Sequence, residues 1–206
     1  MEKRFKAIIF DLGGVLSVGK KEEFAIGVHE FVAKKLKLSL DQYMDSIDEI
    51  YSAAISGTIP RQKVVAIMSK NLNITPKALK EIYFKAYKKN FRRDKGLYHL
   101  ALDLKKKGYK IAIISDIWCI AKEALLDNRY YKKFDVVIAS CDVGSRKTGT
   151  EIFKVALRKL DVSAHEALFT DNQKWNLIAP RKIGVKPILY KNKRQFMMQL
   201  KKYGVI

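Results

Sequence analysis

The chain has 206 residues, of which 48% are hydrophobic, and its 41 Lys and Arg against 21 Asp and Glu give a formal charge of +20. This length and composition predict a globular fold with a full core, and no apolar stretch reaches the roughly 18 residues that a membrane helix needs. The two cysteines and the absence of a signal-peptide pattern argue against a disulfide framework and against export. We therefore expect a cytoplasmic protein with no membrane partner.

The strong positive charge would attract phosphorylated molecules or nucleic acid. The lysines are, however, scattered along predicted helical faces, and no arginine-rich tail or aromatic–basic repeat accompanies them. That pattern is typical of a solvated surface. Nucleic acid is thus an alternative partner that the sequence does not favour, and the pattern gives no indication of the oligomeric state.

The first predicted element is a β-strand that ends on a carboxylate. Residues 6–10 are almost entirely apolar and are followed by Asp11, Gly13 and Gly14. An uninterrupted apolar run predicts a strand of a parallel sheet covered on both faces, and ligands gather at the carboxyl edge of such sheets. Asp11 is then expected at that edge, although a strand followed by an ordinary turn with a capping Asp fits this segment equally well.

The next segment, residues 20–91, has helical periodicity and no clear strand. Ser39 to Gln42 resembles a capping box, and Thr75 with Pro76 forms a second helix start. The pattern predicts a small bundle of four helices inserted into the fold. We therefore divide the chain into a core of residues 1–19 and 92–206 and a helical cap subdomain of residues 20–91.

After residue 93 the pattern changes to helices that alternate with strands, which predicts a parallel sheet with right-handed crossovers. The predicted strands cover residues 110–115, 134–139, 167–170 and 187–190. Polar residues follow or close several of these elements, and singly each has an ordinary explanation as a helix cap, a surface lysine or a turn. Their recurrence at successive strand ends indicates a site. These residues are Ser115, Asp116, Lys147, Asp171, Asn172 and Asn176.

Together these segments resemble the four motifs of the haloacid dehalogenase-like hydrolase superfamily, in the same order. Residues 10–16 resemble the first motif, 114–116 the second, Lys147 with residues 151–153 the third, and 168–172 with Asn176 the fourth. The helical insertion directly after the first motif resembles the C1 cap of that superfamily. The resemblance implies an α/β fold with a Rossmann-like parallel sheet, helices on both faces and a small α-helical cap.

The resemblance also implies a Mg²⁺-dependent phosphatase that acts on a small phosphorylated metabolite. Asp11 would be the nucleophile that attacks phosphorus. Its carboxylate, the backbone carbonyl of Gly13 and Asp171 would supply oxygen ligands to Mg²⁺. Ser115, the amide of Asp116 and Lys147 would hold the phosphoryl oxygens. Asn172 and Asn176 would have supporting roles.

The chain departs from the superfamily pattern at the first and fourth motifs. Gly13 stands where most of the phosphatases carry an Asp as general acid and base, and Asn172 replaces a second acid. We therefore expect slow turnover of esters with poor leaving groups and weaker metal binding. The alternative function is a catalytically weak or inactive relative that binds a phosphorylated ligand or nucleic acid through its basic surface.

Two other reactions of the superfamily are less favoured. A dehalogenase would need an arginine near the start of the cap, and residues 17–40 contain none. A phosphonatase would need a cap lysine, for which Lys20 and Lys21 are weak candidates in so lysine-rich a chain.

Trp118 and Trp175 follow the second and fourth motifs. They either line the mouth of a pocket or pack in the core, and core packing is the favoured interpretation.

Overall fold

The computed structural model describes residues 4–19 and 26–206, and within them five parallel strands form a central sheet and two further strands pair antiparallel. The strands are β1 (Ala7–Phe10), β2 (Ser17–Gly19), β3 (Phe91–Arg93), β4 (Lys110–Ser115), β5 (Val136–Ala139), β6 (Ala167–Asp171) and β7 (Lys186–Leu189). The central sheet has the order β5-β4-β1-β6-β7, so β1 lies between β4 and β6. The predicted α/β fold with a parallel sheet is confirmed.

Helices cover both faces of this sheet, and the side chains of β1 point alternately into the two apolar clusters that result. Ile8 and Phe10 belong to one apolar cluster, in which the Phe10 ring lies 5.9 Å from that of Phe196. Ile9 belongs to the other cluster, together with Phe153. The helices outside the insertion are α5 (Lys95–Lys106), α6 (Lys122–Leu125), α7 (Asn128–Tyr131), α8 (Ser140–Val143), α9 (Glu151–Leu160), α10 (Ile178–Lys182) and α11 (Lys193–Lys202), with 3₁₀ turns at Ala164–Glu166 and Lys174–Leu177.

Two predicted strand boundaries need small corrections. The third strand of the α/β region begins at Val136, two residues later than predicted, because Phe134 closes a turn by donating its backbone N–H to the carbonyl oxygen of Tyr131. The last strand, Lys186–Leu189, lies one residue earlier than predicted. The carboxyl ends of the strands are at the predicted positions to within one residue, and these ends position the site.

The helical insertion lies between β2 and β3, as expected for a C1-type cap. Its helices are α1 (Ile26–Leu36), α2 (Leu40–Ser56), α3 (Arg61–Asn71) and α4 (Pro76–Asn90). The expectation that residues 20–91 contain no strand was wrong at its end, since Phe91 begins β3 and pairs with Gly19 of β2. Strands of three residues are too short to show a period. The predicted start of the insertion at residue 20 lies outside the described residues.

The predicted helix starts within the insertion are confirmed. The Ser39 hydroxyl accepts a hydrogen bond from the Gln42 backbone N–H (3.1 Å), and the Gln42 side chain accepts one from the Ser39 backbone N–H (2.9 Å). The Thr75 hydroxyl accepts from the backbone N–H of Ala78 (3.2 Å), and Pro76 occupies the first turn of α4. These caps satisfy backbone donors that an uncapped helix leaves unpaired.

A buried polar network joins three helices of the insertion. The Tyr43 hydroxyl lies between His29 Nδ1 (3.0 Å) and the Tyr83 hydroxyl, with which it also forms a hydrogen bond. The Tyr83 ring stacks on Trp118, which follows β4 in the core, at 5.9 Å between ring centroids. The network therefore ties α1, α2 and α4 together and links them to the core.

We expect this network to make stability sensitive to acid. Burial lowers the pKa of His29 below its ordinary value of 6.5. The unfolded chain therefore takes up a proton below about pH 6.5 that the folded chain does not, and the free energy of unfolding falls as the pH drops through that range. Denaturant unfolding between pH 5 and pH 8 should show a shallower fall for His29→Asn, with the exposed His165→Asn as the matched control. Identical pH dependence in all three proteins would contradict this prediction.

Candidate active site

The ends of the three central strands place three of the predicted site residues side by side. Asp11 directly follows β1, Ser115 ends β4 and Asp171 ends β6, and all three side chains are buried. The register explains their proximity, since Phe10 pairs with Ile113 on one side and with Thr170 on the other. Asp11 is held in this position by its backbone N–H, which donates to the carbonyl oxygen of Thr170 (2.9 Å).

Lys147 lies between the two carboxylates. Its Nζ is 2.7 Å from Asp11 Oδ1 and 2.6 Å from Asp171 Oδ2, and the lysine itself is buried. Lys147 comes from the loop between α8 and α9, so the cluster joins three separate parts of the chain. With both acids ionised, this buried group carries one negative charge in excess of its cation.

The pKa values of this cluster reflect burial and the close charges. Burial raises the pKa of Asp11 to about 6, with Lys147 opposing the rise and Asp171 adding to it. Burial on its own would lower the pKa of Lys147, but the two adjacent carboxylates outweigh it and raise that pKa above its ordinary value. Lys147 therefore remains protonated throughout the neutral range and acts here as a fixed positive charge.

Asp171 is oriented by its own loop. Its Oδ1 accepts a hydrogen bond from the Gln173 backbone N–H (2.7 Å), and its Oδ2 accepts one from Asn176 Nδ2 (3.1 Å) in addition to the one from Lys147. Asn176 thus contacts a proposed metal ligand directly. This contact accounts for the position of Asn176 about one helical turn beyond the fourth motif.

The Asp116 carboxylate positions the lysine loop. It accepts hydrogen bonds from the Lys147 backbone N–H (3.0 Å, to Oδ1) and from Arg146 Nε (3.1 Å, to Oδ2). The sequence predicted a phosphate-binding backbone amide at this position and no role for its side chain. Arg146, which the sequence analysis did not single out, is thereby part of the support of the site.

Ser140 is a second residue that the sequence analysis missed. Its hydroxyl is fully buried, accepts a hydrogen bond from the Ile117 backbone N–H (3.0 Å) and donates one to the carbonyl oxygen of Ile55 in α2 (2.6 Å). It therefore holds the loop after β4 against the insertion. Its place immediately after β5 is the same signal that marked the other candidates, a polar residue at the carboxyl end of a strand.

The two glycines after Asp11 differ in their surroundings. A Cβ at Gly14 would lie 2.4 Å from Asn172 Nδ2, and Gly14 has a φ of +83°. Only glycine combines that conformation with such a close approach. A Cβ at Gly13, by contrast, would meet no atom within 4 Å. Gly14 is therefore needed for the contact between the first and fourth motifs, whereas the position of Gly13 has room for a side chain.

We expect Gly14→Ala to destabilise the protein by about 1–3 kcal/mol, since a side chain at this φ is strained and must displace Asn172. Gly13→Ala is the matched control, and its free energy of unfolding should stay within about 0.5–1 kcal/mol of the parent value. Denaturant unfolding of both variants checks this. Equal losses in the two proteins would show that the approach to Asn172 has no energetic weight.

A cavity of about 250 Å³ opens above the cluster, between the core and the insertion. Ser115, Lys147 and Asn172 lie in its wall on the core side, and Trp118 lines it as well. Trp175, in contrast, is 58% exposed and does not line this cavity, so the favoured expectation that it packs in the core was wrong. Besides the Ser140 bond, the ion pairs Arg61–Glu123 and Lys88–Asp127 hold the insertion over the core.

The oxygen-rich end of this cavity fits a Mg²⁺ ion. Asp11 lines this cavity and Asp171 adjoins Asp11 through Lys147, whereas among the described residues no three His, Cys, Asp or Glu side chains are grouped to hold a metal. The buried cluster has an uncompensated negative charge, and Asn172 Oδ1 is a buried oxygen without a hydrogen-bond partner. Two carboxylates with further oxygens from backbone, amide, water or substrate are a donor set that Mg²⁺ prefers.

The fold and the site define an α/β protein with a helical insertion over a buried carboxylate–lysine cluster. The family model described as haloacid dehalogenase-like hydrolase matches residues 5–184. The chain therefore belongs to the haloacid dehalogenase-like hydrolase family. In the described part of the chain, no helix has the length and apolar character needed to cross a membrane.

The chain is similar to two curated proteins and to a solved structure. The bifunctional epoxide hydrolase 2 of Sus scrofa is 31% identical over 107 residues, which are 50% of this chain and 19% of that protein. The sesquiterpene phosphatase astK of Aspergillus oryzae is 30% identical over 95 residues, 46% of this chain and 48% of that protein. The chain thus spans about a fifth and about half of these relatives.

One structural neighbour is a haloacid dehalogenase family enzyme from Bacteroides thetaiotaomicron, solved as a magnesium complex. It has a TM-score of 0.72 and 20% identity, and the match covers 96% of this chain and 100% of that chain. The same enzyme has also been solved with magnesium and inorganic phosphate. At this level of identity the likeness supports the shared fold.

Proposed function

We propose that this protein is a Mg²⁺-dependent phosphatase that hydrolyses a small phosphate monoester through an aspartyl-phosphate on Asp11. The observation that carries the proposal is the buried cluster of Asp11, Lys147 and Asp171, of which Asp11 and Lys147 line the cavity. One carboxylate at the end of β1 can attack, while a fixed cation lies within hydrogen-bonding distance of the attacking group. Such an arrangement suits a reaction in which two anions must approach each other.

In the first step a carboxylate oxygen of Asp11 forms a bond to phosphorus, and the bond from phosphorus to the ester oxygen breaks. The alcohol leaves with a proton taken from water, because no acid is available at Gly13. In the second step water attacks the acyl phosphate, releases inorganic phosphate and restores the Asp11 carboxylate. The chain itself thus supplies a nucleophile and leaves proton transfer to solvent.

The other site residues hold the phosphoryl group and the metal. Lys147, the Ser115 hydroxyl and the backbone amide of Asp116 are the proposed donors to the phosphoryl oxygens, on which negative charge spreads in the transition state. Asp11, Asp171 and the Gly13 carbonyl are the proposed Mg²⁺ ligands. When bound there, Mg²⁺ would turn the single excess negative charge of the cluster into a net positive charge that attracts the phosphate, and it would polarise the phosphoryl group.

Supporting roles fall to two asparagines. Asn176 orients Asp171 through the contact at 3.1 Å. Asn172 Oδ1 lies buried without a partner and is available to the metal or to its water ligands. The uncharged Asn172 would add less attraction for the metal than an acid would, so we expect a higher Mg²⁺ requirement than an Asp at this position would give.

The relatives are consistent with this proposal. One is named a phosphatase, and the structural neighbour has been solved with magnesium and phosphate.

We also propose that residues 20–91 act as a cap that closes over the core of residues 1–19 and 92–206. Cap closure would exclude water from the cavity and select the substrate.

Phosphate release from an activated aryl phosphate, with Mg²⁺ and with a chelator, tests the function. We expect turnover that needs Mg²⁺ and that is lost in Asp11→Asn. Asp142→Asn is the matched control, because Asp142 lies in α8 in an exposed ion pair with Lys122 and should leave turnover unchanged. If the activated ester, whose leaving group needs no proton donor, is not cleaved at any Mg²⁺ concentration, the phosphatase proposal fails and a ligand-binding relative replaces it.

A further inference from the structure

The walls that the insertion contributes to the cavity are apolar and aromatic. They are Tyr51 and Ile55 of α2, Tyr87 of α4 and Phe91 of β3. The part of a substrate that points away from the phosphoryl group would contact these side chains. Binding is favoured when a hydrocarbon group is buried against such a surface, and it is disfavoured when an unpaired charge is buried there.

The charged groups among the described lining residues all come from the core. They are Asp11, Asp116 and Lys147, and each is already in an ion pair. No lysine or arginine of the described insertion lines this cavity, although the chain carries 41 such residues. The described walls therefore offer no second cation for another phosphate or a carboxylate on the substrate.

The aromatic side chains of this wall also contact one another. The Tyr51 and Trp118 ring centroids are 5.0 Å apart, and Trp118 stacks on Tyr83 behind it. Trp118 is buried, and its indole N–H has no hydrogen-bond partner. Rings held from behind in this way form a firm surface for a flat or branched hydrocarbon group.

The size of the cavity limits the substrate. At about 250 Å³ it is below the range of about 300–1,000 Å³ that is typical of sites for drug-sized ligands. It can take a phosphoryl group together with a small organic group. A nucleotide or a long lipid chain would need the insertion to open.

We propose that the substrate is a monophosphate ester of a small, uncharged and largely apolar alcohol, whose hydrocarbon group packs on the aromatic wall formed by Tyr51, Tyr87, Phe91 and Trp118. This inference rests on the proposed phosphatase function and specifies its substrate class. Bisphosphates are disfavoured because the described walls offer no cation for a second phosphate, and sugar phosphates because their several hydroxyl groups outnumber the polar groups of the wall, which are the Tyr51 and Tyr87 hydroxyls and the Trp118 N–H.

Substrate pairs with chemically similar leaving groups test the proposal. Benzyl phosphate and 3-methylbutyl phosphate are compared with glycerol phosphate and phosphoglycerate, since all four can be supplied as esters of primary alcohols. We expect kcat/KM to be higher for the two apolar esters by roughly tenfold or more, in line with the value of a buried hydrocarbon group in enzyme discrimination. Equal values, or a preference for the polar esters, would overturn the proposal while leaving the phosphatase function intact.

A binding measurement keeps the test independent of turnover. Benzylphosphonate and methylphosphonate are not cleaved, and their affinities for the Mg²⁺-loaded protein can be measured by calorimetry. We expect benzylphosphonate to bind roughly tenfold or more tightly. That preference without any turnover would disprove the phosphatase function and retain the ligand class, whereas equal affinities would disprove the ligand class.

Variants of Tyr51 test whether the aromatic wall causes the preference for apolar ligands. Tyr51→Ala should remove most of the advantage of benzylphosphonate over methylphosphonate. Phe84→Ala is the matched control, because Phe84 is an aromatic residue of α4 that is 45% exposed and lies outside this cavity. Tyr51→Leu keeps an apolar side chain and should retain part of the advantage, so that a loss through misfolding can be recognised. An unchanged ratio in folded Tyr51→Ala would contradict the assignment.

Discussion

Replacing Lys147 with methionine is expected to lower kcat by about 10²- to 10³-fold, the usual cost of removing one preorganised group that stabilises transition-state charge. The change also removes the cation that lies 2.7 Å from Asp11 and 2.6 Å from Asp171. Loss of one partner from a buried ion pair typically destabilises a protein by about 3–5 kcal/mol. Both effects follow because methionine keeps the length of the side chain and loses its charge.

The loss of stability should depend on Mg²⁺. Without Lys147, two buried carboxylates face each other, so added Mg²⁺ should raise the thermal midpoint of Lys147→Met by more than that of the parent protein. Lys154→Met is the matched control, since Lys154 pairs with Glu151 on the exposed side of α9. It should change neither kcat nor the response to Mg²⁺. A Lys147→Met protein with parental kcat would remove this lysine from the proposed mechanism.

Gly13→Asp is expected to raise turnover of alkyl phosphates by about 10²-fold or more, which is the lower end of what general acid–base catalysis contributes. The position is suitable because an added Cβ would meet no atom within 4 Å and no positive φ stands in the way. The carboxyl group could protonate the leaving alcohol and then activate water for the second step. An aryl phosphate with a good leaving group needs no proton for its departure, so its gain should come from faster hydrolysis of the acyl phosphate alone.

Gly13→Asn is the matched control for this gain. Asparagine has the size of aspartate and cannot act as a general acid or base, so it should leave the turnover of alkyl phosphates near the parental value. Steady-state rates of the three proteins on one alkyl and one aryl phosphate make the comparison. Equal gains from Asn and Asp would show that the side chain acts by packing, and no gain from Asp would place the proton donor elsewhere.

Much of the fold was predictable because its signals are local. The uninterrupted apolar run before Asp11 predicted a buried central strand, and the caps at Ser39 and Thr75 predicted helix starts. Polar residues at strand ends predicted one edge of a sheet, since parallel strands bring those ends together. The pair β2 and β3 was missed because three residues show no periodicity and the pairing joins positions more than 70 residues apart.

The site was predictable in part. Asp11, Ser115 and Asp171 follow from the strand pattern, which also placed Lys147 among the candidates after the third strand. Only the family resemblance gave Lys147 a role. The side-chain contacts of Asp116 and Ser140 depend on how loops cross in space, which no local pattern encodes. Of the aromatic wall, Trp118 had pocket lining as its less favoured interpretation, whereas Tyr87 and Phe91 were hidden because they have the spacing of ordinary helix and strand residues.

The most direct test of the proposed mechanism is to trap the phosphorylated enzyme. Because Gly13 provides no base for the second step, the acyl phosphate should accumulate during turnover of an activated aryl phosphate with Mg²⁺. After an acid quench and digestion, mass spectrometry should find one phosphoryl group on Asp11, labile to hydroxylamine and absent from Asp11→Asn. Steady turnover with an unmodified Asp11, or with the phosphoryl group on another residue, would contradict nucleophilic catalysis by Asp11.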